Sequence, residues 1–164
     1  MSEALTAAPA ADPMVPTPYQ VVGRRQEGVD TVTLVLAPTG TALPPARPGQ
    51  FFMLWAPGVG EVPISLGGAG ADGTIEETIR VVGAVSRALA GTAVGGTIGV
   101  RGPFGTAWDL DAAAGRHVLF VAGGVGLVPL RPSIAEAVAR ADEVLASGVV
   151  VGGRGGHAEH VGGG

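Results

Sequence analysis

The densest run of residues able to do chemistry is VLFVAGGVGLVPL, in which Gly123, Gly124 and Gly126 lie between a buried-type strand and a helix, with Pro129 just after. Glycines let the main chain approach an anion closely. The unpaired amides and the dipole at a helix start favour negative charge, so such a turn can cradle phosphates. The spacing is G-G-x-G-x-x-P. No Gly-Lys-Ser or Gly-Lys-Thr follows, which excludes a Walker-type loop, and Pro129 stands where the third glycine of the common dinucleotide fingerprint falls. A tight strand-to-helix turn that binds nothing is the plain alternative.

Three further runs carry polar chemistry. In IRVVGAVSRAL, Gly83 and Ser86 either cap a short helical turn or present amides and a hydroxyl to an anion. PGQFFMLWAPGVGEVPISLGG reads as a hairpin ending in Pro63-Ile64-Ser65, where a serine by itself bonds to backbone. His157-Ala158-Glu159-His160 has metal-type side chains, but among glycines with no scaffold to fix ligand geometry it reads as a solvated tail. Cysteine is absent, which excludes disulfides, thiolate chemistry and any iron–sulfur cluster held by this chain alone.

These residues need elements to position them. From Tyr19 the chain shows short β-type runs, YQVVGRR, TVTLVLA, QFFMLWA and VPISL, separated by turn clusters such as EGVD and PTGTALPPARPG. Ile79 to Val82 and Thr97 to Val100 read as two more strands, with a helical turn from Ser86 to Ala90 between them. Six short strands with Gly and Pro turns predict a small antiparallel barrel. Beyond Gly105 the period changes. His117 to Ala122 is a continuous apolar strand, Ile134, Val138, Ala141 and Leu145 recur at helical spacing, Glu136 and Arg140 sit one turn apart, Gly148 reads as a C-terminal cap, and Val149 to Val151 begins another strand. Strand, helix, strand is one βαβ unit. Two strands and one crossover helix leave a face and both edges of a parallel sheet open, so this second unit reads as incomplete, completed by a partner or by sequence not present.

The expected organisation is a flexible leader over 1–18, a barrel over 19–110, the βαβ unit over 116–154 and a Gly-rich tail over 155–164. The leader lacks the basic and apolar regions of a targeting signal. The chain has 164 residues, 46% of them hydrophobic, which suits an ordered core. Its longest apolar stretch is short of the roughly 20 residues of a spanning helix, so a membrane partner is not expected. Lys plus Arg number 10 against Asp plus Glu 14, and the arginines form no basic stripe, which argues against nucleic acid.

The order of the motifs is more specific than any one of them. PGQFFMLW, EVPISL, VVGAVSRAL, VRGPFG and VLFVAGGVGLVPL follow one another as in the ferredoxin-NADP reductase superfamily. More narrowly the chain resembles the flavin- and NAD(P)-binding subunits of cytoplasmic hydrogenases, anaerobic sulfite reductases and dihydroorotate dehydrogenase electron-transfer chains. The resemblance implies an FAD-binding barrel followed by a Rossmann-like NAD(P)-binding domain. It places Val62, Pro63, Ile64 and Ser65 along the flavin, with the Ser65 hydroxyl near the reactive N5. Ile79 and Arg80 line the flavin phosphate side, Val85 and Ser86 bind the pyrophosphate, and Gly123, Gly124, Gly126 and Pro129 face the NAD(P) pyrophosphate. VRGPFG becomes the bend between domains. Many members have an arginine and an aromatic where Val62 and Ile64 stand, and Arg80 is the cation left to compensate.

The implied activity is hydride transfer from NAD(P)H to FAD and onward passage of single electrons to a redox partner protein or enzyme subunit, an iron–sulfur protein, in the cytoplasm. No catalytic acid–base pair is needed, because the cofactor carries the hard chemistry. Two rivals remain open: a non-catalytic flavin-binding or assembly module, and a β-barrel interaction protein whose glycine turn binds nothing.

Overall fold

The computed structural model describes residues 12–140, 146–153 and 156–162. Strands β1 (Thr17–Gln26), β2 (Thr31–Pro38), β3 (Phe51–Ala56), β4 (Gly60–Ala69), β5 (Ile75–Arg80) and β6 (Thr97–Phe104) close into an antiparallel barrel in the order β1-β2-β5-β4-β3-β6. Side chains alternate across a strand, so Tyr19 and Val21, Leu34 and Leu36, Phe52 and Leu54, and Ile98 and Val100 all point inward and are buried. Closure leaves the barrel without free edges. Helix α1 (Ala84–Ala90) packs on strands β2 to β5 and delivers Leu89 into the core, where it is fully buried.

The fifth strand departs from expectation. It runs from Ile75 to Arg80 and not from Ile79 to Val82, and Val82 is left exposed. Ile75 and Ile79 face inward with Glu77 between them, fully buried. A carboxylate at an inward position interrupts the apolar alternation that marks a strand, which is why the sequence signal begins four residues late.

After the barrel, β7 (His117–Gly123) leads into a 3₁₀ helix (Gly124–Leu130), then α2 (Arg131–Ala139) and β8 (Ala146–Gly153). β8 pairs parallel to β7 from His117↔Ala146 to Gly123↔Gly152, as a βαβ unit requires. The helix begins earlier than its apolar spacing predicts, with Pro132 in its first turn, where a missing N–H costs nothing. That start turns Ser133 and Ala137 inward and leaves Val138 exposed, contrary to its expected place on the apolar face. Ala141 and Leu145 lie outside the described residues. Glu136 and Arg140 do pair, at 3.5 Å.

Two other expectations are corrected. Gly148 lies inside β8 and caps no helix. The expected tail carries a strand, β9 (Gly156–Gly162), antiparallel to β8, so the sheet is mixed, in the order β7-β8-β9. An open strand edge presents a row of unpaired main-chain groups, and a returning segment satisfies them whatever its side chains, so composition alone concealed it. On β7, Phe120 and Ala122 are buried while Leu119 and Val121 are exposed. No helix among the described residues is long and apolar enough to cross a membrane.

Candidate functional site

The 3₁₀ helix and α2 lean on β4, and two clefts form there that share Arg131. Contact is close at Gly67, where a Cβ would come within 3.0 Å of a Val128 methyl and 2.9 Å of the Glu76 carbonyl oxygen. A side chain at Gly67 would wedge the two units apart. The first cleft, about 560 Å³, runs from Leu66 to Gly70 on the barrel side and is faced by Arg131, Pro132 and Ala135. The second, about 460 Å³, brings Arg25, Glu27, Thr31 and Thr78 against Gly124, Val125 and Arg131.

Charge is organised around these clefts. Arg131 lies 4.0 Å from Glu76, and Arg25 is 2.7 Å from Glu27. A hydrogen bond from the Thr33 hydroxyl, then the Arg25 guanidinium, and more weakly Arg131, hold the Glu27 carboxyl below the usual carboxylate range. The second cleft is therefore bordered by two cations against one firmly ionised acid.

Gly124 has φ +52°, in the left-handed region, with no atom within 4 Å of where a Cβ would be. Gly126 is equally open, Gly123 is extended at φ −127°, and Pro129 lies within the 3₁₀ helix. The turn thus presents bare main chain to open space, as an anion cradle must. Of these residues, Gly124 lines the second cleft.

The barrel residues divide by face. Val62 and Ile64 on β4 pack partly buried against the core together with Val85 of α1, while Pro63 and Ser65 face outward and are exposed. Ile79 is fully buried inside the barrel, so only its main chain can face a ligand. Arg80 is exposed but engaged, its Nε donating to Asp30 at 2.8 Å, and this bond holds the Asp30 carboxyl below its ordinary range. The Ser86 hydroxyl accepts from the amides of Val82 and Gly83, each at 3.0 Å, and donates to the Gly83 carbonyl at 3.2 Å. It is buried and caps its own helix. What the start of α1 offers outward is main-chain amide, above a Gly83 with open space around it.

Val62, Pro63, Ile64 and Ser65 line neither cleft; the strand continues from them into the first cleft at Leu66. Arg25, Thr31, Thr78 and Arg131 were not singled out from sequence. Arg131, two residues after Pro129, was the accessible signal, because a cation beside a phosphate-type turn complements its ligand. Arg25 had none, since the glycine turn meets the β1–β2–β5 sheet at this place only in the folded chain.

A closed six-stranded barrel joined to a strand, glycine turn, helix and strand is the fold of ferredoxin reductase-like proteins. Comparison with known proteins makes this more particular. The chain is a homologue of dihydroorotate dehydrogenase B electron transfer subunits and of sulfhydrogenase gamma subunits. It is 38% identical over 121 residues to the probable electron transfer subunit of dihydroorotate dehydrogenase B (NAD(+)) from Methanopyrus kandleri, covering 73% of this chain and 43% of that one. It is 42% identical over 86 residues to the sulfhydrogenase 1 gamma subunit of Pyrococcus furiosus, covering 52% of this chain and 30% of that one. The chain therefore spans less than half the length of these relatives. Among solved structures, an NADH-dependent reduced ferredoxin-NADP oxidoreductase superposes with a TM-score of 0.70 at 26% identity, over 83% of this chain and 48% of that one. No family model matches the chain.

Proposed function

We propose that this chain is the FAD-binding part of a flavin-dependent oxidoreductase that passes electrons between NAD(P)H and a protein redox partner or enzyme subunit, an iron–sulfur protein, in the cytoplasm. The observation that carries this reading is the pairing of the reductase-type barrel with two bare-backbone cradles, at Gly83 and at Gly124 and Gly126, none with an atom near the Cβ position. The open main chain at Gly124 and Gly126 suits a phosphate group, and at Gly83, whose own amide donates to Ser86 Oγ, the missing Cβ leaves room for one against the next amides of α1, so the residues fit the two cofactors.

When bound, FAD supplies the hydride-accepting and electron-releasing chemistry. The chain's own residues bind and orient. Val62, Ile64 and Val85, half-buried against the barrel core, give β4 an apolar backing that excludes water from behind a ring system. Ser65 projects with Pro63 from the outer face of β4, where its hydroxyl offers a donor or acceptor at the ring edge. The amides at the start of α1 and the Arg80 guanidinium favour a pyrophosphate. The Gly123–Pro129 turn, with Arg131 and Arg25, favours the dinucleotide phosphates.

One observation favours a second reading, a flavin-binding module without turnover: Arg80, the cation expected to compensate for Val62, is shared with Asp30. The visible spectrum of the purified chain with FAD, before and after anaerobic NADH and NADPH, separates the two. Flavin bands that bleach support the reductase; bands that form and do not bleach support the module; absence of bands overturns both.

A further inference from the structure

The loop between β2 and β3 contains Leu43-Pro44-Pro45-Ala46-Arg47-Pro48, a run that none of the functional argument uses. Its backbone is narrowly constrained. Each proline fixes φ near −65°, and Leu43, Pro44 and Arg47 each precede a proline, which drives them to extended or polyproline geometry. The run joins no strand, and from Leu43 to Arg47 burial follows a three-residue period: Leu43 and Ala46 pack against the barrel core, while Pro44, Pro45 and Arg47 are exposed. Three residues per turn is the period of a polyproline II helix.

The segment is also held in place. The Leu43 amide donates to the Tyr19 hydroxyl at 3.0 Å, and at the far end the Arg47 amide donates to Gln50 Oε1 at 2.8 Å while the Gln50 amide donates to the Arg47 carbonyl at 3.1 Å. Among the described residues no hydrogen bond reaches the carbonyls of Leu43, Pro44, Pro45 or Ala46, and Arg47 makes no ion pair. One edge of the helix is thus anchored, and the exposed Pro44, Pro45 and Arg47 carry the side chains that a groove would read, while Pro48, half-buried, begins the next turn with its carbonyl accepting from the Trp108 amide.

We propose that Leu43–Pro48 is a preformed docking ligand for a protein partner whose groove is lined by aromatic side chains and rimmed by an acid that takes Arg47. A segment already in polyproline geometry loses little entropy on binding, and its proline ridges fit between aromatic rings. Ala46 and Pro48 also line the first cleft, so such a partner sits at its rim. The proposal stands on the loop alone and does not depend on any cofactor.

The test uses the full chain, labelled with ¹⁵N, titrated with an isolated SH3 domain that has an aromatic groove and an acidic specificity pocket. Saturable shifts confined to the region of Leu43 to Gln50 are expected. Pro45→Ala and Arg47→Ala should each weaken binding about tenfold or more. Both side chains are exposed, so the remaining amide spectrum stays unchanged and a folding defect is visible if one occurs. No shifts at about 1 mM probe, binding unaltered in both variants, or shifts spread over the other arginines and abolished by salt overturns the proposal.

Discussion

Arg131, the first residue of α2, reaches Glu76 on β5 at 4.0 Å and faces both clefts between the barrel and the glycine turn. Both partners are more than a third exposed, 47% and 36%, so the pair itself contributes little, about 0–1 kcal/mol. Its placement beside Gly124 is what matters. Arg131→Ala should leave the melting temperature nearly unchanged and weaken NADH by about tenfold, the loss of one charge-assisted phosphate contact. Anaerobic NADH titration of the FAD-loaded chain measures this. Equal affinity in the variant would remove Arg131 from the nucleotide site.

Glu77 makes a prediction of a different kind. It is fully buried, neither oxygen has a hydrogen-bond partner among the described residues, and burial pushes its carboxyl well above the usual range. With the folded pKa raised, the folded state keeps a proton that the unfolded chain releases. Stability is therefore greatest below the unfolded value, near 4.5, and falls as pH rises toward the folded pKa. Glu77→Leu should remove this slope and raise stability at neutral pH by about 1–3 kcal/mol, the cost of a buried unsatisfied polar group. Urea denaturation of both proteins at several pH values reads it. A parallel pH dependence in the variant would show that another group carries the slope.

Glu77 also marks the boundary of what the sequence makes legible. Where inward positions are apolar, as in Leu34 and Leu36 or Phe52 and Leu54, alternation reveals the strand and its inner face together. Where one inward position is a carboxylate, half of β5 disappears from the pattern. The glycine turn was legible because its residues have a mechanical reason to be glycine: Gly124 adopts φ +52°. Arg25 was not, because its place in the second cleft comes from the distant glycine turn packing against the β1–β2 hairpin, and no local spacing encodes that. Ser86 was legible as a choice between cap and ligand, and hydrogen-bond geometry makes its hydroxyl a cap.

That geometry changes what Ser86→Ala should do. The hydroxyl holds two otherwise unpaired amides at the start of α1, the helix that carries Leu89 into the core. Removing it should cost about 0.5–2 kcal/mol of stability, as for a lost N-terminal cap. FAD affinity measured well below the melting transition should fall only slightly, since the outward amides remain. A large loss of flavin with unchanged stability would make the hydroxyl a ligand in spite of its burial.

Gly124→Val tests the cradle most directly, because two independent effects converge on one residue. At φ +52° a β-branched side chain adopts a conformation it strongly disfavours, costing about 1–2 kcal/mol or more, and the turn must shift or strain. The Cβ would also project into space with no protein atom within 4 Å, where a bound phosphate would come closest to the main chain. Bleaching by NADH should be lost, while flavin bands persist because the β4 run from Val62 to Ser65 is untouched. Gly126→Ala is the control that separates the effects: it is not at positive φ, so it adds bulk to the same cradle without backbone strain. Weakened NADH binding in both variants assigns the turn to the nucleotide. A loss in Gly124→Val with none in Gly126→Ala would confine the effect to Gly124, the glycine of the turn that lines the second cleft, and unchanged titrations in both would leave the glycines as nothing more than a tight turn.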